Sequence, residues 1–98
     1  MEIKETKSFS NWFKKLKKKR RFAAYEIMKR LNRVKNRNLC DCKAIGKGIH
    51  ELRIHFEKGY RIYFTYVNGQ IILLLAGGDK TTQREDIIKS KKILNSIK

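Results

Sequence analysis

The 98-residue sequence predicts an α+β fold. Three observations carry that expectation. Apolar residues recur at helical spacing across the first third of the chain. Three later segments read as strands set off by glycine-bearing turns. A capping-box signature then opens a last helix. The expected order is an N-terminal strand and helical hairpin packed on a small antiparallel sheet, then a C-terminal helix.

Residues 1–7 alternate loosely and read as the first strand. Ser8 or Ser10 can cap the helix that follows. Phe9, Trp12, Phe13 and Leu16 fall at i, i+3, i+4 and i+7, one apolar stripe that reads as core. Arg20 and Arg21 interrupt it. A second helix is expected from Phe22 to Lys35, with Ala24, Ile27, Met28, Leu31 and Val34 inward. Cys40 and Cys42 sit on a short strand, CDCKAIG. With no second cysteine pair to complete a metal site, they read as two small reduced side chains.

Residues 49–56 and 60–67 alternate with period two, and residues 70–76 form a third, apolar strand. Glu57-Lys58-Gly59 and Asn68-Gly69 read as the hairpin turns of an antiparallel meander. Gly77-Gly78 ends the sheet. Thr82-Gln83-Arg84-Glu85 is the capping box, and Ile87, Ile88, Ile93, Leu94 and Ile97 supply the last helix's apolar residues.

One domain over residues 1–98 is expected. No apolar run reaches transmembrane length and no secretory h-region follows the N-terminus, so no membrane span is expected. The two cysteines suit a reducing cytoplasm rather than a disulfide framework. The chain carries 25 Lys and Arg against 9 Asp and Glu, a formal charge of +16. The first fifty residues alone hold a net +12, concentrated in residues 14–21 and 29–37. A solvated helix face is the plain reading. Nucleic acid or an acidic protein explains so large an excess better, and an anionic membrane surface explains it less well.

The turns set an expected register. Loop 57–59 opposes Phe56 to Tyr60, Ile54 to Ile62 and Leu52 to Phe64 on the core face. The outer face then opposes His55 to Arg61, Arg53 to Tyr63 and Glu51 to Thr65. Ala76 and Leu74 fall beside Arg61 and Tyr63, and Lys80 hangs over the same end. Glu51, Arg53, His55, Arg61, Tyr63 and Lys80 thus form a cluster. It is either an ordinary polar face or a phosphate site, and the crowding of like charges against Ile72, Leu74 and Ala76 favours the second.

Residues Glu51-Leu52-Arg53-Ile54-His55, Gly59-Tyr60-Arg61-Ile62-Tyr63-Phe64 and Leu73-Leu74-Leu75-Ala76-Gly77-Gly78-Asp79-Lys80 carry a family resemblance, with Gln83 and Asp86-Ile87 after them. Together they closely resemble the HigB-like addiction-module killer proteins, toxins of bacterial type II toxin–antitoxin systems within the RelE/ParE superfamily. The resemblance covers almost the whole chain. It implies a RelE-like fold and a metal-independent ribonuclease, without cofactor, that cuts messenger RNA, often on the ribosome, and so inhibits translation. It also implies a cognate antitoxin, which the charge of this chain predicts to be acidic. The superfamily includes gyrase inhibitors of the same fold as well.

A nuclease without metal can use the RNA 2′-OH as nucleophile, leaving a 2′,3′-cyclic phosphate and a 5′-OH. Arg53 and Arg61 are the expected phosphate ligands. Lys80 would stabilise the transition state or protonate the leaving oxygen. Glu51 and His55 are alternative bases, and Tyr63 a hydrogen-bond donor or stacking surface. Gln83 would bond the nucleotide. Lys14, Lys15, Lys18, Lys19, Arg20 and Arg21 would hold RNA backbone, while His50 has the opposite strand parity and reads as structural. A gyrase-type blocker and a plain nucleic-acid-binding module are the competing readings.

Overall fold

The computed structural model describes residues 1–38 and 41–97. In chain order the elements are β1 (Glu2–Glu5), α1 (Lys7–Lys19), α2 (Arg21–Lys35), β2 (Cys42–Gly46), β3 (Ile49–Ile54), β4 (Tyr60–Val67) and β5 (Ile71–Asp79). A 3-10 turn (Lys80–Thr82) leads into α3 (Gln83–Ser96). The sheet order is β1-β5-β4-β3-β2. It is mixed rather than wholly antiparallel, because β1 runs parallel to β5. That pairing joins the two ends of the strand sequence, so no local turn announces it.

Both helices of the hairpin lie on one face of the sheet. Phe9, Phe13, Ala23, Ala24, Ile27 and Val34 form one core with Leu52, Ile54, Ile62, Phe64, Ile72 and Leu74, and Trp12 and Leu16 are partly buried beside it. The expected α1 stripe therefore packs inward. Its cap is Thr6 rather than Ser8 or Ser10: Thr6 Oγ1 accepts from Phe9 N at 3.2 Å and donates to Leu75 O at 2.9 Å, tying the helix start to β5. In α2, Met28 turns outward and is half exposed, while Ala23 takes an inward place.

The opposite sheet face is not open. Helix α3 covers it, with Ile49, Tyr63, Leu75 and Leu94 buried together. Ile88 on α3 and Ile97 at its C-terminal end, both counted among the helix's apolar residues, are exposed. Helix α3 begins at Gln83, as expected, but Thr82 makes no side-chain cap bond there; the capping box is Asp79 with Thr82, at the 3-10 turn before it.

The register also differs from expectation. Ile54 pairs with Tyr60, Arg53 with Arg61, Leu52 with Ile62 and Glu51 with Tyr63. Strand β3 ends before His55, and the connection is longer because Glu57 and Gly59 both adopt positive φ (51° and 80°). The β4–β5 pairing begins at Val67 and Ile71, then shifts at a bulge between Phe64/Leu74 and Tyr63/Ala76, so that Arg61 pairs with Gly78. The turn takes three residues, 68–70, rather than Asn68-Gly69 alone, which pairs Tyr66 with Ile72 and Phe64 with Leu74 and turns Ile72 and Leu74 toward the helical hairpin, not the charged cluster.

Strand β5 continues through Gly77 and Gly78 instead of ending there. A Cβ on Gly77 would lie 2.4 Å from the Trp12 ring, and one on Gly78 would lie 1.8 Å from Asp86 Oδ2. Helices α1 and α3 press on this strand from opposite faces, and only glycine leaves room for both.

Candidate functional site

Strand alternation puts Glu51 and Arg53 on the α3 face of β3, and the pairing puts Arg61 and Tyr63 beside them on β4. The N-terminus of α3 brings Gln83 over the same place. Glu51 is fully buried. Its Oε1 accepts from Arg53 Nε at 3.0 Å and its Oε2 from Gln83 Nε2 at 3.0 Å. Arg61 Nη1 lies 3.8 Å from the same Oε2. A buried carboxylate costs several kcal/mol unless its lone pairs are met by donors and cations, and here both oxygens are met.

The consequence is orientation. Arg53 spends one N–H on Glu51 and Arg61 leans on the same carboxylate, so each guanidinium is held while donors remain for a ligand. The Arg53 side chain is 39% exposed and that of Arg61 14%. Arg53 is therefore the more accessible of the two to an anion.

The remaining expected members are placed differently. Tyr63 is sealed beneath α3, with no exposed surface and no hydrogen-bond partner for its Oη among the described residues. Burial first, then the Glu51 and Asp86 carboxylates, push its phenol far above the ordinary value of 10.0. Neither base stacking nor proton transfer near neutral pH is open to it in this position. His55 lies past the end of β3, exposed, and does not oppose Arg61. It lines a shallow depression with Asp41, Cys42, Lys43 and Arg53. Glu51, considered as a base, has no access to solvent. Lys80 is exposed, and its backbone N–H donates to Gly59 O at 2.9 Å, which holds it at the Arg61 end of the sheet. His50 packs between Phe64 and Tyr66, with ring centroids 5.4 and 5.0 Å away.

Lys43 was missed. It pairs with Glu51 across β2 and β3, which sets it on the arginine face, exposed. The parity of CDCKAIG carries that information once the strand's partner is known. Of the Cys40–Cys42 pair, Cys40 lies outside the described residues. Among the described residues, no three His, Cys, Asp or Glu side chains gather as metal ligands.

Lys14, Lys15, Lys18, Lys19, Arg20 and Arg21 are all exposed. The last five divide between two grooves, and Lys14 lines neither. Lys15, Lys19 and Arg20 line one of about 380 Å³ between α1, the β3–β4 hairpin and the start of α3, floored by Trp12, Tyr60, Gly77 and Gly78. Lys18 and Arg21, again with Lys19 and Arg20, border a second at the α1–α2 corner beside Phe22 and Glu57.

Fold and site together describe a small, strongly basic α+β protein that presents two oriented guanidiniums on one face of a mixed sheet. The chain belongs to the family described as phage-derived protein Gp49-like (DUF891), whose model matches residues 11–96. This is a toxin-like family, related to RelE and HigB, and a toxin of that kind implies an antitoxin partner. A curated protein of Haemophilus influenzae, named only as an uncharacterized protein, is 40% identical over 97 residues, covering 99% of this chain and 96% of that one. No solved structure matches the chain. Among the described residues no helix is long and apolar enough to cross a membrane.

Proposed function

We propose that the chain is the HigB-like toxin of a type II toxin–antitoxin pair, a RelE-like, metal-independent endoribonuclease that cuts messenger RNA in the cytoplasm. The observation that supports this most directly is Glu51, buried at zero exposure and bonded to Arg53, with Arg61 and Gln83 on its second oxygen. Prepositioned guanidiniums suit a phosphate whose charge grows as the 2′-OH attacks, because no reorganisation is then needed at the moment of reaction. Arg53 and Arg61 take the non-bridging oxygens in this scheme. Lys80 and Lys43 add positive charge at the rim. His55, the exposed imidazole beside Arg53, takes the proton of the 2′-OH. Glu51 and Gln83 position the arginines. As the 2′-oxygen bonds to phosphorus the P–O5′ bond breaks, Lys80 gives the leaving oxygen its proton, and the cut leaves a 2′,3′-cyclic phosphate and a 5′-OH; the ribosome presents the message.

A second reading is a non-catalytic toxin that blocks a protein such as gyrase. One feature favours it: Glu51 is buried and saturated, which leaves His55 as the one accessible residue of the two expected bases. A primer-extension map of messages after brief induction separates the two. Discrete new 5′ ends with wild type, lost with Arg61→Ala, are expected. Growth arrest with intact messages supports the blocker instead.

A further inference from the structure

Helix α2 carries an outward face that the core does not use. Phe22 is 73% exposed and Tyr25 61%, one helical turn apart, opposite the buried Ala23, Ala24 and Ile27. For a domain this small, two aromatic rings held in water are an unrecovered loss of burial, and exposed aromatics of this kind mark a binding surface. Each ring has a cation against it. The Arg21 guanidinium lies 6.0 Å from the Phe22 centroid and Lys29 Nζ lies 5.3 Å from that of Tyr25. Of the acids nearby, Glu26 pairs with Lys29 at 3.0 Å and Glu57, beside Phe22, pairs with Arg20.

Rings interleaved with cations suit single-stranded nucleic acid, where bases stack on the rings and phosphates meet the charges. A protein partner fits less well, since the centre of a protein interface is depleted in charge and Lys in particular. The face also lies on a continuous route from the arginine cluster. Arg61 stands two residues from Gly59, whose carbonyl holds Lys80. The same hairpin carries Lys58 and Glu57, and Glu57 Oε2 meets Arg20 Nη1 at 3.5 Å. Arg20 stands two residues before Phe22.

We propose that Phe22 and Tyr25 form a stacking platform for bases of single-stranded RNA, continuous with the Arg53–Arg61 cluster over the tip of the β3–β4 hairpin. The proposal rests on the ribonuclease reading for its substrate. Its test does not, because binding is read without cleavage. The probe is a labelled 2′-O-methyl RNA single strand of about twelve nucleotides, long enough to span a groove and platform of this kind and lacking the attacking hydroxyl. Fluorescence anisotropy with the full chain gives its affinity across a salt series.

Phe22→Ala/Tyr25→Ala is expected to weaken binding by about tenfold or more. The dependence on salt should stay unchanged, since stacking releases no counterions. Phe22→Trp/Tyr25→Trp should restore the affinity, and a duplex of equal length should bind wild type and the alanine variant alike. Both side chains are exposed, so thermal midpoints should agree among the variants. Equal affinity of wild type and the alanine variant for the single strand overturns the proposal. So does equal loss on the duplex. So does unchanged RNA binding with loss of an acidic protein partner, which makes the face a protein dock. A chain that needs Phe22 and Tyr25 for the probe yet cuts no ordinary RNA keeps the platform and removes the ribonuclease reading.

Discussion

Removing the Glu51 carboxylate would leave two guanidiniums and an amide turned toward an empty place. Glu51→Ala is expected to lower stability by about 2–3 kcal/mol, less than for a wholly buried pair because Arg53 is partly in water. In a domain of this size that is about 10–20 °C in thermal midpoint, readable by circular dichroism. Glu51→Gln keeps one acceptor and should cost about half as much. The two acids near the start of α3 act in opposite directions with pH. Burial raises Asp86 above its ordinary 3.8, against the bond from Thr82, whose Oγ1 donates to Asp86 Oδ2 at 2.6 Å. Asp86 therefore adds stability that is full below 3.8 and is lost as pH rises through its raised value. Asp79 is lowered overall: the bonds it accepts from Thr81, together with Lys58 and Thr82, outweigh its burial. Its stability is present above 3.8 and is lost as pH falls through the lowered value. Urea midpoints measured across the acid-to-neutral range should show Asp86→Asn gaining on wild type as pH rises, and Asp79→Asn losing most of its deficit in acid.

At the scale of elements, β5 is the strand that both helical layers need. Gly77→Ala forces the new methyl into the Trp12 ring and is expected to cost about 1–3 kcal/mol. Trp12→Leu made in the same chain should recover part of that cost, and a double-mutant cycle by urea unfolding measures the coupling. The sheet also shows what the sequence could and could not carry. Both helices of the hairpin were legible because their apolar stripes are periodic and Arg20 breaks between them. The β3–β4 register departs from expectation by two residues, because Gly59 announces a positive φ and Glu57, which adopts one as well, does not. An even slip leaves every side chain on its own face, so Glu51, Arg53, Arg61 and Tyr63 stayed together although their partners changed. The bulge beside Leu75 was invisible, because an unbroken IILLLA has no alternation for a bulge to interrupt. The three-residue turn at 68–70 puts Ile72 and Leu74 on the helical side, and the bulge returns Ala76 and Gly78 to the arginine side. A buried Glu51 was unreadable for another reason: a charged residue in an alternating strand signals surface until α3 and Gln83 are laid over it.

The whole molecule is a cation of +16 with most of its excess on the helical hairpin. Long-range attraction for a polyanion is then a property of the hairpin, while orientation is a property of the sheet face beneath α3. The two can be separated by salt. Each lysine or arginine that meets a phosphate should contribute about −0.7 to the slope of log affinity against log salt for a single strand. Replacing Lys15, Lys19 and Arg20 by glutamine should reduce that slope by about 2 and leave the thermal midpoint near wild type. An unchanged slope would mean that the groove between α1 and the β3–β4 hairpin does not carry RNA. The glycine pair that lets both layers reach β5 has a genetic corollary. Every missense change at a glycine codon adds at least a Cβ, so codons 77 and 78 have no conservative neighbour. If expression of the chain arrests growth as proposed, a saturation-mutagenesis selection for survivors should find these two positions among the most frequent escape sites outside the arginine cluster, although neither has a side chain with which to touch a substrate.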